Sequence, residues 1–329
     1  MYSVVKKIYL IIILVSHIET VFPQRAVRVA CWNVENFFDC IHDTLCSDLD
    51  FTPTGANHWT YSRFIHKRNS VYKVIADIGS ANTDVYNPPS VVGLVEVEND
   101  HVLRELCLNT PLRRLGYHYI HYDSPDVRGI DCAILYLPSR FTPLSSRSIM
   151  VSDSSAGFFT RDILYVEGLV PLSSDTLSIF VCHLPSKRGG VQSDRYRFAI
   201  GSRLRDMMDS ISLASPNRII LAMGDFNAIA TEPLFTKALK IGSGSGASMF
   251  VDPVSSWPDT IGSYKYQGRW ETIDHILINR DCPVFCFSPS YLLEDDDQGR
   301  SSRPYRTYRG PLYIGGISDH LPIYVDLPL

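Results

Sequence analysis

Short apolar runs that stop at a polar residue recur along the whole chain, and they restrict its fold more than any other feature. Aliphatic and β-branched residues dominate runs such as Val27–Trp32 and Ile219–Met223. Runs of this length and composition are typical of buried β-strands. Seven more have the same character: Val91–Val95, Tyr117–Tyr122, Cys132–Leu137, Ile163–Leu169, Leu177–Cys182, Thr272–Ile278 and Leu321–Val325. We therefore expect a fold built mainly on strands.

Few helical patterns lie between the predicted strands. Apolar spacing predicts helices over Arg63–Ile78, Val102–Leu108, Ser193–Ser212 and Pro233–Leu239. A doubly wound parallel sheet would alternate strands and helices more regularly. The order of elements instead favours an α/β fold in which two packed sheets are covered by helices.

Six of the apolar runs carry an acid, an amide or an imidazole at one end. Strands that end at the same edge would bring these groups within a few ångströms of one another. One such group would be explained as a turn residue, but six of them indicate a shared site. They are Asn33, Glu96, His183, Asp225 with Asn227, Asp274 with His275, and Asp319 with His320.

The distribution of these groups bears on domain organisation. A length of 329 residues suggests two domains. However, groups that lie between Asn33 and His320 must meet in one site, so we expect a single domain over residues 25–329.

The composition excludes several classes of protein. Hydrophobic residues make up 45% of the chain, which argues against a disordered or fibrous protein. With 31 Lys and Arg against 35 Asp and Glu, the net charge is −4. This balance excludes a histone-like binder of nucleic acid, but it permits a local basic groove.

Residues 1–24 predict a secretory signal peptide. Lys6 and Lys7 precede the apolar run Ile8 to Val15, which is too short to span a bilayer. The residues before Arg25 form a poor cleavage site, so an uncleaved N-terminal membrane anchor is the alternative. We expect an exported protein, periplasmic or secreted, with no membrane span in the mature chain. We also expect a monomer with no stable protein partner.

Eight cysteines in a chain of this length do not indicate a disulfide scaffold. Those within predicted strands are expected to be small buried residues. In an exported protein, Cys40 with Cys46, or Cys282 with Cys286, could form a local disulfide. Neither pair has the spacing of a zinc site.

The sequence resembles the endonuclease/exonuclease/phosphatase superfamily, which includes DNase I-like nucleases, abasic-site nucleases, neutral sphingomyelinases and inositol-polyphosphate phosphatases. The resemblance covers Val27 to Asp326 and is carried by Trp32-Asn33, Glu96, Gly224-Asp225-Phe226-Asn227 and Ser318-Asp319-His320. It implies a four-layer α/β sandwich, in which two packed mixed β-sheets are flanked by helices. It also implies hydrolysis of a phosphate ester with a divalent cation, normally Mg²⁺, with Mn²⁺ or Ca²⁺ as alternatives.

Attack on a phosphodiester builds negative charge, so the site needs a hard cation and hydrogen-bond donors. Glu96 is the leading candidate ligand of Mg²⁺. Asn33 offers an amide oxygen to the metal and an NH₂ group to the substrate, and Asp319 supplies a second carboxylate, directly or through water. Glu35 is a further candidate, because many relatives carry an acid two residues after the first asparagine.

Three residues are predicted to act on the phosphate or on the attacking water, and a fourth orients one of them. Asp225 is the candidate general base or water-orienting group, and Asn227 donates to a phosphoryl oxygen. His320 is expected to pair with Asp274, as in the family, and to hold the phosphate or protonate the leaving group. His275 should point away from the site and pack in the protein.

His183 opens a predicted phosphate-binding loop. Its glycines permit close backbone approach, and Lys187 and Arg188 supply cationic donors. We expect His183 to be catalytic and Asp131 to be the carboxylate that orients its ring.

The substrate class is inferred from two segments that lead into the site. Arg269 and Arg306 lie among tyrosine and tryptophan residues, a mixture that suits a polyanion with stackable bases. The sequence thus favours an exported nuclease with DNA or RNA as its substrate. The alternative is a phosphatase or phosphodiesterase of inositol phosphates or phospholipid headgroups. An inactive binding module is disfavoured because the six central catalytic and ligand residues are all present.

Overall fold

The computed structural model describes residues 26–152, 157–243, 249–296 and 301–328. The predicted leader over residues 1–24 lies outside these ranges. Within the described ranges, no helix has the length and apolar character needed to cross a membrane.

The first of two large sheets has six strands in the order β12-β17-β1-β2-β4-β3. Strands β1 and β2 are parallel, and the other neighbours are antiparallel. The strands are β1 (Val27–Phe37), β2 (Val91–Val97), β3 (His118–His121), β4 (Asp131–Tyr136), β12 (Val284–Cys286) and β17 (Ile323–Leu327).

The second sheet has five strands in the order β11-β8-β7-β6-β5. Here β7 and β8 are parallel, and the other neighbours are antiparallel. The strands are β5 (Thr142–Ile149), β6 (Ile163–Val170), β7 (Asp175–His183), β8 (Ile219–Asp225) and β11 (Asp274–Ile278). Both sheets are therefore mixed.

Three α-helices and several short elements complete the described structure. The helices are α1 (Tyr61–Ile78), α2 (Asp100–Leu108) and α3 (Gly190–Ala214), and Leu234–Ala238 forms a π-helical turn. Short 3₁₀ turns are Leu49–Phe51, Pro111–Arg114, Lys187–Gly189, Pro253–Ser256 and Ser290–Leu292. Two-stranded ribbons pair β9 (Tyr264–Tyr266) with β10 (Arg269–Glu271), β13 (Leu293–Asp295) with β14 (Ser302–Pro304), and β15 (Tyr308–Arg309) with β16 (Leu312–Tyr313).

Alternation along the strands builds the layers. In β1, Val29 and Cys31 face the second sheet, where they join a core with residues such as Val181 of β7. The intervening Ala30 and Trp32 pack in a separate cluster with α1 and α2. A third cluster lies between the second sheet and α3. The order helices, sheet, sheet, helix is the four-layer sandwich predicted from the sequence, so that prediction is confirmed.

Strand register places polar residues side by side at one edge of the sandwich. In the second sheet, His183 of β7 pairs with Asp225 of β8, and Asp225 pairs with Asp274 of β11. In the first sheet, Asn33 of β1 pairs with Val95 of β2, so Glu96 follows directly. The site is therefore assembled by hydrogen-bond register within each sheet.

The structure adds a strand that is not among the predicted ones, and it answers the open question of the two cysteine pairs. Strand β5 has no apolar run, because most of its side chains lie at a partly exposed edge of the second sheet. The cysteines of the candidate pairs Cys40/Cys46 and Cys282/Cys286 are free thiols, as are the other four, so neither disulfide is present.

Candidate active site

Polar ends of strands from both sheets line one cleft of about 530 Å³. Asn33 and Asp274 lie directly behind the lining residues and contact them. Nine of the predicted site residues line the cleft: Glu35, Glu96, His183, Lys187, Arg188, Asp225, Asn227, Asp319 and His320. The central residues predicted from strand ends are thus brought together.

Asn33 holds two carboxylates in place at the centre of the cleft. Its Nδ2 donates to Asp225 Oδ2 at 3.1 Å and to Glu96 Oε1 at 3.4 Å. Its Oδ1 accepts the Glu35 N–H at 2.9 Å. The NH₂ group that the sequence analysis directed to the substrate therefore serves the carboxylates, and one lone pair of Oδ1 remains for a metal.

Glu96 is oriented toward the cleft by its neighbours. The Asn36 N–H donates to Oε2 at 2.8 Å, while Oε1 lies 3.8 Å from His183 Nε2. Burial raises the pKa of this carboxyl, but the charge of Arg128 and the Asn36 N–H outweigh burial, so the pKa is lowered overall. Glu96 is therefore ionised and available to a cation.

Several cleft residues adopt left-handed backbone conformations that L-residues avoid. The φ angles are 52° for Glu35 and Asn36, 65° for Glu96 and 49° for Asn227. Each costs about 1–3 kcal/mol and persists because the surrounding structure holds it. Such strain is concentrated here at groups that face the cleft.

His320 and Asp274 form a buried pair. His320 Nδ1 lies 2.7 Å from Asp274 Oδ2, which is the predicted partnership. Burial lowers the pKa of His320, but Asp274 and then Asp225 raise it further, and the net shift is well upward. His320 Nε2 lies 3.8 Å from both Asp225 Oδ2 and Asp319 Oδ1 and faces the cleft. The ring is thus positioned as a charged donor.

Asp225 and Asn227 form the floor of the cleft. The Asn227 N–H donates to Asp225 Oδ1 at 2.9 Å, and Asn227 Nδ2 donates to Leu184 O at 3.0 Å. Burial raises the pKa of Asp225, although the charge of His320 opposes it. A carboxylate with a raised pKa is a better proton acceptor, which suits a general base.

Gly224 permits the close approach of two strands beside Asp225. Its φ is 144°, and an added Cβ would meet Cys182 O at 1.8 Å. Only glycine fits, so the first residue of Gly224-Asp225-Phe226-Asn227 has a steric role.

The predicted partnership of Asp131 with His183 is wrong. Asp131 Oδ2 lies 3.3 Å from His121 Nε2, and its Oδ1 accepts the Ser124 N–H. His183 instead lies 3.6 Å from Asp225 Oδ2, through Nε2. The physical reason is that Asp131 begins β4 in the first sheet, whereas His183 ends β7 in the second.

Two arginines of the cleft were not predicted. Arg161 donates to Asp126 Oδ2 at 3.1 Å and to Leu184 O at 3.0 Å, so it shares an acceptor with Asn227. Its buried Nε has no hydrogen-bond partner among the described residues. Arg128 lies beside it on the cleft wall. Burial, then the charges of Arg161 and Arg128, lower the pKa of His183 well below its usual value, so this ring is neutral.

The other predicted cations differ in position. Lys187 lines the cleft but is paired with Glu232 at 2.8 Å and lies 3.8 Å from Glu271. Arg188 also lines it. Arg306 lies behind the wall, where its charge and a hydrogen bond act on Tyr264, a residue that lines the cleft. Arg269 is exposed on β10 and is not a lining residue, so its predicted contact with substrate is not supported.

Glu35 is held by a buried lysine that the sequence analysis did not identify. Lys67 Nζ lies 4.0 Å from Glu35 Oε2 and donates to Thr307 Oγ1 at 2.8 Å. The Thr307 N–H donates to the same Glu35 oxygen at 2.7 Å. Burial and the charge of Asp319 raise the pKa of Glu35. Glu35 therefore lines the cleft in a fixed position, and the buried Lys67 partly balances its charge.

The donors in the cleft fit a hard divalent cation. Glu96, Asp319 and Glu35 offer carboxylate oxygens, and Asn33 offers an amide oxygen, which are the ligands that such ions prefer. Asp225, Asp274 and His320 also lie close enough to hold an ion. However, His320 Nδ1 is engaged with Asp274, so this pair is less suited to hold a metal than the carboxylates above.

This fold and this cleft define a class of metal-dependent phosphoester hydrolases. The chain belongs to the endonuclease/exonuclease/phosphatase family, because the model of that family matches residues 28–328. It is therefore a phosphoric ester hydrolase of the DNase I-like superfamily, whose members depend on a divalent metal. No curated protein sequence matches the chain.

Solved structures share the fold at low sequence identity. The human Nocturnin catalytic domain with bound sulfate has 18% identity and a TM-score of 0.56, covering 92% of this chain and 94% of that one. A mannosyl-6-phosphatase of Bacteroides thetaiotaomicron has 16% identity and a TM-score of 0.58, covering 91% and 98%. A truncated TDP2 of Caenorhabditis elegans has 17% identity and a TM-score of 0.56, covering 91% and 96%. These likenesses concern the fold.

Proposed function

We propose that the protein is a Mg²⁺-dependent phosphodiesterase that hydrolyses DNA or RNA. The observation that carries the proposal is that a carboxylate with a raised pKa, a charged imidazole and two arginines surround one oxygen-rich candidate cation site. Asp225, His320, Arg161 and Arg128 all face the cleft that Glu96 and Asp319 line.

Glu96 and Asp319 would hold the cation, with Asn33 and Glu35 beside them. When bound, the cation would neutralise charge on the phosphoryl oxygens and the leaving oxygen. Mg²⁺ is the proposed ion because the donors are oxygens and because few carboxylates suffice for an ion that retains several waters.

The remaining residues divide the proton chemistry and the binding of the phosphate. Asp225 orients the attacking water and accepts its proton, since its pKa is raised and its carboxylate is held by Asn33 and Asn227. His320, charged through its contact with Asp274, protonates the leaving oxygen. Arg161 lines the cleft, so its guanidinium charge can act on a phosphoryl oxygen.

The rim of the cleft favours nucleic acid. Tyr264 and Tyr266 line it together with Arg188, so rings and cations lie where a base and its adjacent phosphate would meet the protein. A second candidate is a hydrolase of small phosphate esters, such as inositol phosphates or phospholipid headgroups. The cleft volume of about 530 Å³ is in the range of small-molecule sites, which supports this alternative.

We also propose that the protein acts outside the cytoplasm as a monomer, on the basis of the N-terminal apolar segment and the balanced composition.

The test is a substrate panel with purified protein. Plasmid DNA, RNA, an inositol polyphosphate and sphingomyelin are incubated with Mg²⁺, with and without a chelator. We expect cleavage of nucleic acid that the chelator abolishes, together with binding that weakens steeply as salt concentration rises.

The panel is repeated with the test variant Arg161→Ala and with the matched control Arg269→Ala. Both remove one arginine, but only Arg161 lines the cleft. Arg161→Ala should lower kcat/KM by about 10–100-fold, in line with the loss of one charge-assisted hydrogen bond, and Arg269→Ala should change it little. Cleavage of the lipid or the inositol phosphate alone would reject the nuclease proposal.

A further inference from the structure

Three side chains that can bind a metal lie together where β3 leads into β4, apart from the residues that line the cleft. His121 ends β3, Asp131 begins β4, and Asp123 lies in the connection. In the antiparallel register His121 pairs with Ala133, so Asp131 is its diagonal neighbour on the same face. One ligand atom from each of the three residues lies within 4.8 Å of the others.

One carboxylate oxygen of Asp131 accepts hydrogen bonds from Ser124, and the other faces His121. The Ser124 N–H donates to Oδ1 at 3.1 Å, and the Ser124 hydroxyl donates to the same oxygen. Oδ2 is directed instead to His121, at 3.3 Å from Nε2. Only 4% of the Asp131 side chain is exposed. The carboxylate is therefore buried, oriented and open on one side.

The His121 ring is the second observation that points to a ligand. Only 5% of its side chain is exposed, yet Nε2 has no hydrogen-bond partner among the described residues. Two atoms bound to one tetrahedral zinc lie about 3.3–3.5 Å apart, as follows from bond lengths of about 2.0–2.2 Å. The observed separation of 3.3 Å is compatible with this spacing.

Asp123 closes the cluster on the solvent side. Its Oδ1 lies 3.9 Å from His121 Nδ1, and 89% of its side chain is exposed. Nδ1 is not the nitrogen that faces Asp131, so the Asp123 carboxylate has to turn to reach an ion held by Nε2 and Asp131. Its exposure lets it do so without disturbing the core, and water can complete the shell.

We propose that His121, Asp123 and Asp131 bind a first-row transition metal ion, with Zn²⁺ as the best match, at a site separate from the catalytic cation. One imidazole with two carboxylates suits this class of ion, whereas the all-oxygen catalytic cleft suits Mg²⁺. The bound ion would restrain the connection between β3 and β4. That connection carries Arg128 on the cleft wall and Asp126, which holds Arg161 at 3.1 Å. The site thereby supports the cationic wall of the cleft.

The test counts zinc in the folded full-length protein. Wild type, His121→Phe and a matched control, His118→Phe, are equilibrated with Zn²⁺ in a large excess of Mg²⁺, separated from free metal and analysed for elements. His118 is an exposed ring on the same strand. We expect His121→Phe to hold one zinc fewer per chain than wild type, and His118→Phe to match wild type. Equal zinc in wild type and His121→Phe overturns the proposal, and the His121–Asp131 contact is then an ion pair only.

If His121→Phe shows no cooperative melting, Asp123→Ala decides the question, because this exposed side chain does not support the core. Zn²⁺ affinity lowered at least about tenfold supports the site, and unchanged affinity overturns it. Neither zinc measurement depends on catalysis. Because the connection carries Arg128, selective removal of zinc should raise KM several-fold. Only this KM measurement rests on the proposed phosphodiesterase activity.

Discussion

Two buried histidine–aspartate pairs use consecutive residues of β11 with different outcomes. Asp274 contacts His320 at 2.7 Å, and His275 contacts Asp252 at 2.9 Å. Successive side chains of a strand face opposite sides of the sheet. Asp274 is therefore directed to the catalytic cleft, whereas His275 packs against the Phe235 ring, at 4.3 Å between centroids, in the core beneath α3.

The second ring nitrogen distinguishes the two pairs. His275 Nε2 lies 2.9 Å from Ala228 O, so both of its nitrogens are satisfied inside the protein. His320 Nε2 has no hydrogen-bond partner of this kind among the residues described, and it faces the cleft. A buried histidine–aspartate pair can thus have a structural or a catalytic role. A ring nitrogen that faces a cleft without a hydrogen-bond partner favours the catalytic role.

The largest effect is expected from removing the cleft ring. His320→Ala should lower kcat on the substrate identified by the panel by about 10²–10⁴-fold, because the proton donor is lost. Initial rates in Mg²⁺ measure this. Because the substitution also leaves Asp274 buried without its partner, the unfolding midpoint in urea should fall as well, and the rate is taken per folded molecule. A rate within a few-fold of wild type would remove His320 from the chemistry.

Removing the core ring should lower stability without lowering the rate. His275→Ala leaves Asp252 buried without its partner and should lower the free energy of unfolding by about 3–5 kcal/mol. Urea denaturation followed by circular dichroism measures the loss. The turnover rate per folded molecule should stay within a few-fold of wild type. A large fall in rate with unchanged stability would mean that the two pairs have been assigned the wrong way round.

The smallest expected effect is the change with pH of the stability that the His275–Asp252 pair contributes. Burial lowers the pKa of His275, but Asp252 raises it more, so the folded-state pKa exceeds the usual value of 6.5. The stabilisation is therefore complete below about pH 6.5 and is lost as the pH rises through the raised value. The difference in unfolding free energy between wild type and His275→Ala should shrink between about pH 5 and pH 9. A difference that grows with pH would show that the ring is neutral in the folded protein.

The sequence is informative wherever a residue of the cleft lies at the end of a buried strand. Asn33, Glu96, His183 and Asp225 all follow apolar runs, and hydrogen-bond register brings them together. The packed role of His275 was also predicted, from its position next to Asp274, and the structure confirms it. Such predictions succeed because strand periodicity is a local property that the sequence carries directly.

Other features depended on information that periodicity lacks. Asp131 was assigned to His183 because nothing in the sequence states which sheet a strand joins. Arg161 immediately precedes Asp162 and β6, so extending the search to cations before strands would have found it. Lys67 lies among the buried residues Phe64 and Val71 on one face of α1, and a lysine on an apolar face is the signal that was overlooked.

The contact between Trp32 and His320 has a consequence for biosynthesis. The Trp32 indole N–H donates at 2.9 Å to the carbonyl oxygen of His320, across 288 residues of sequence. The Ser318 hydroxyl likewise donates to Asn33 O at 2.7 Å. Ligand residues near the first strand and the acid–imidazole residues near the last strand therefore take their places together. A nascent chain on the ribosome therefore cannot complete this cleft until β17 has emerged and paired with β1.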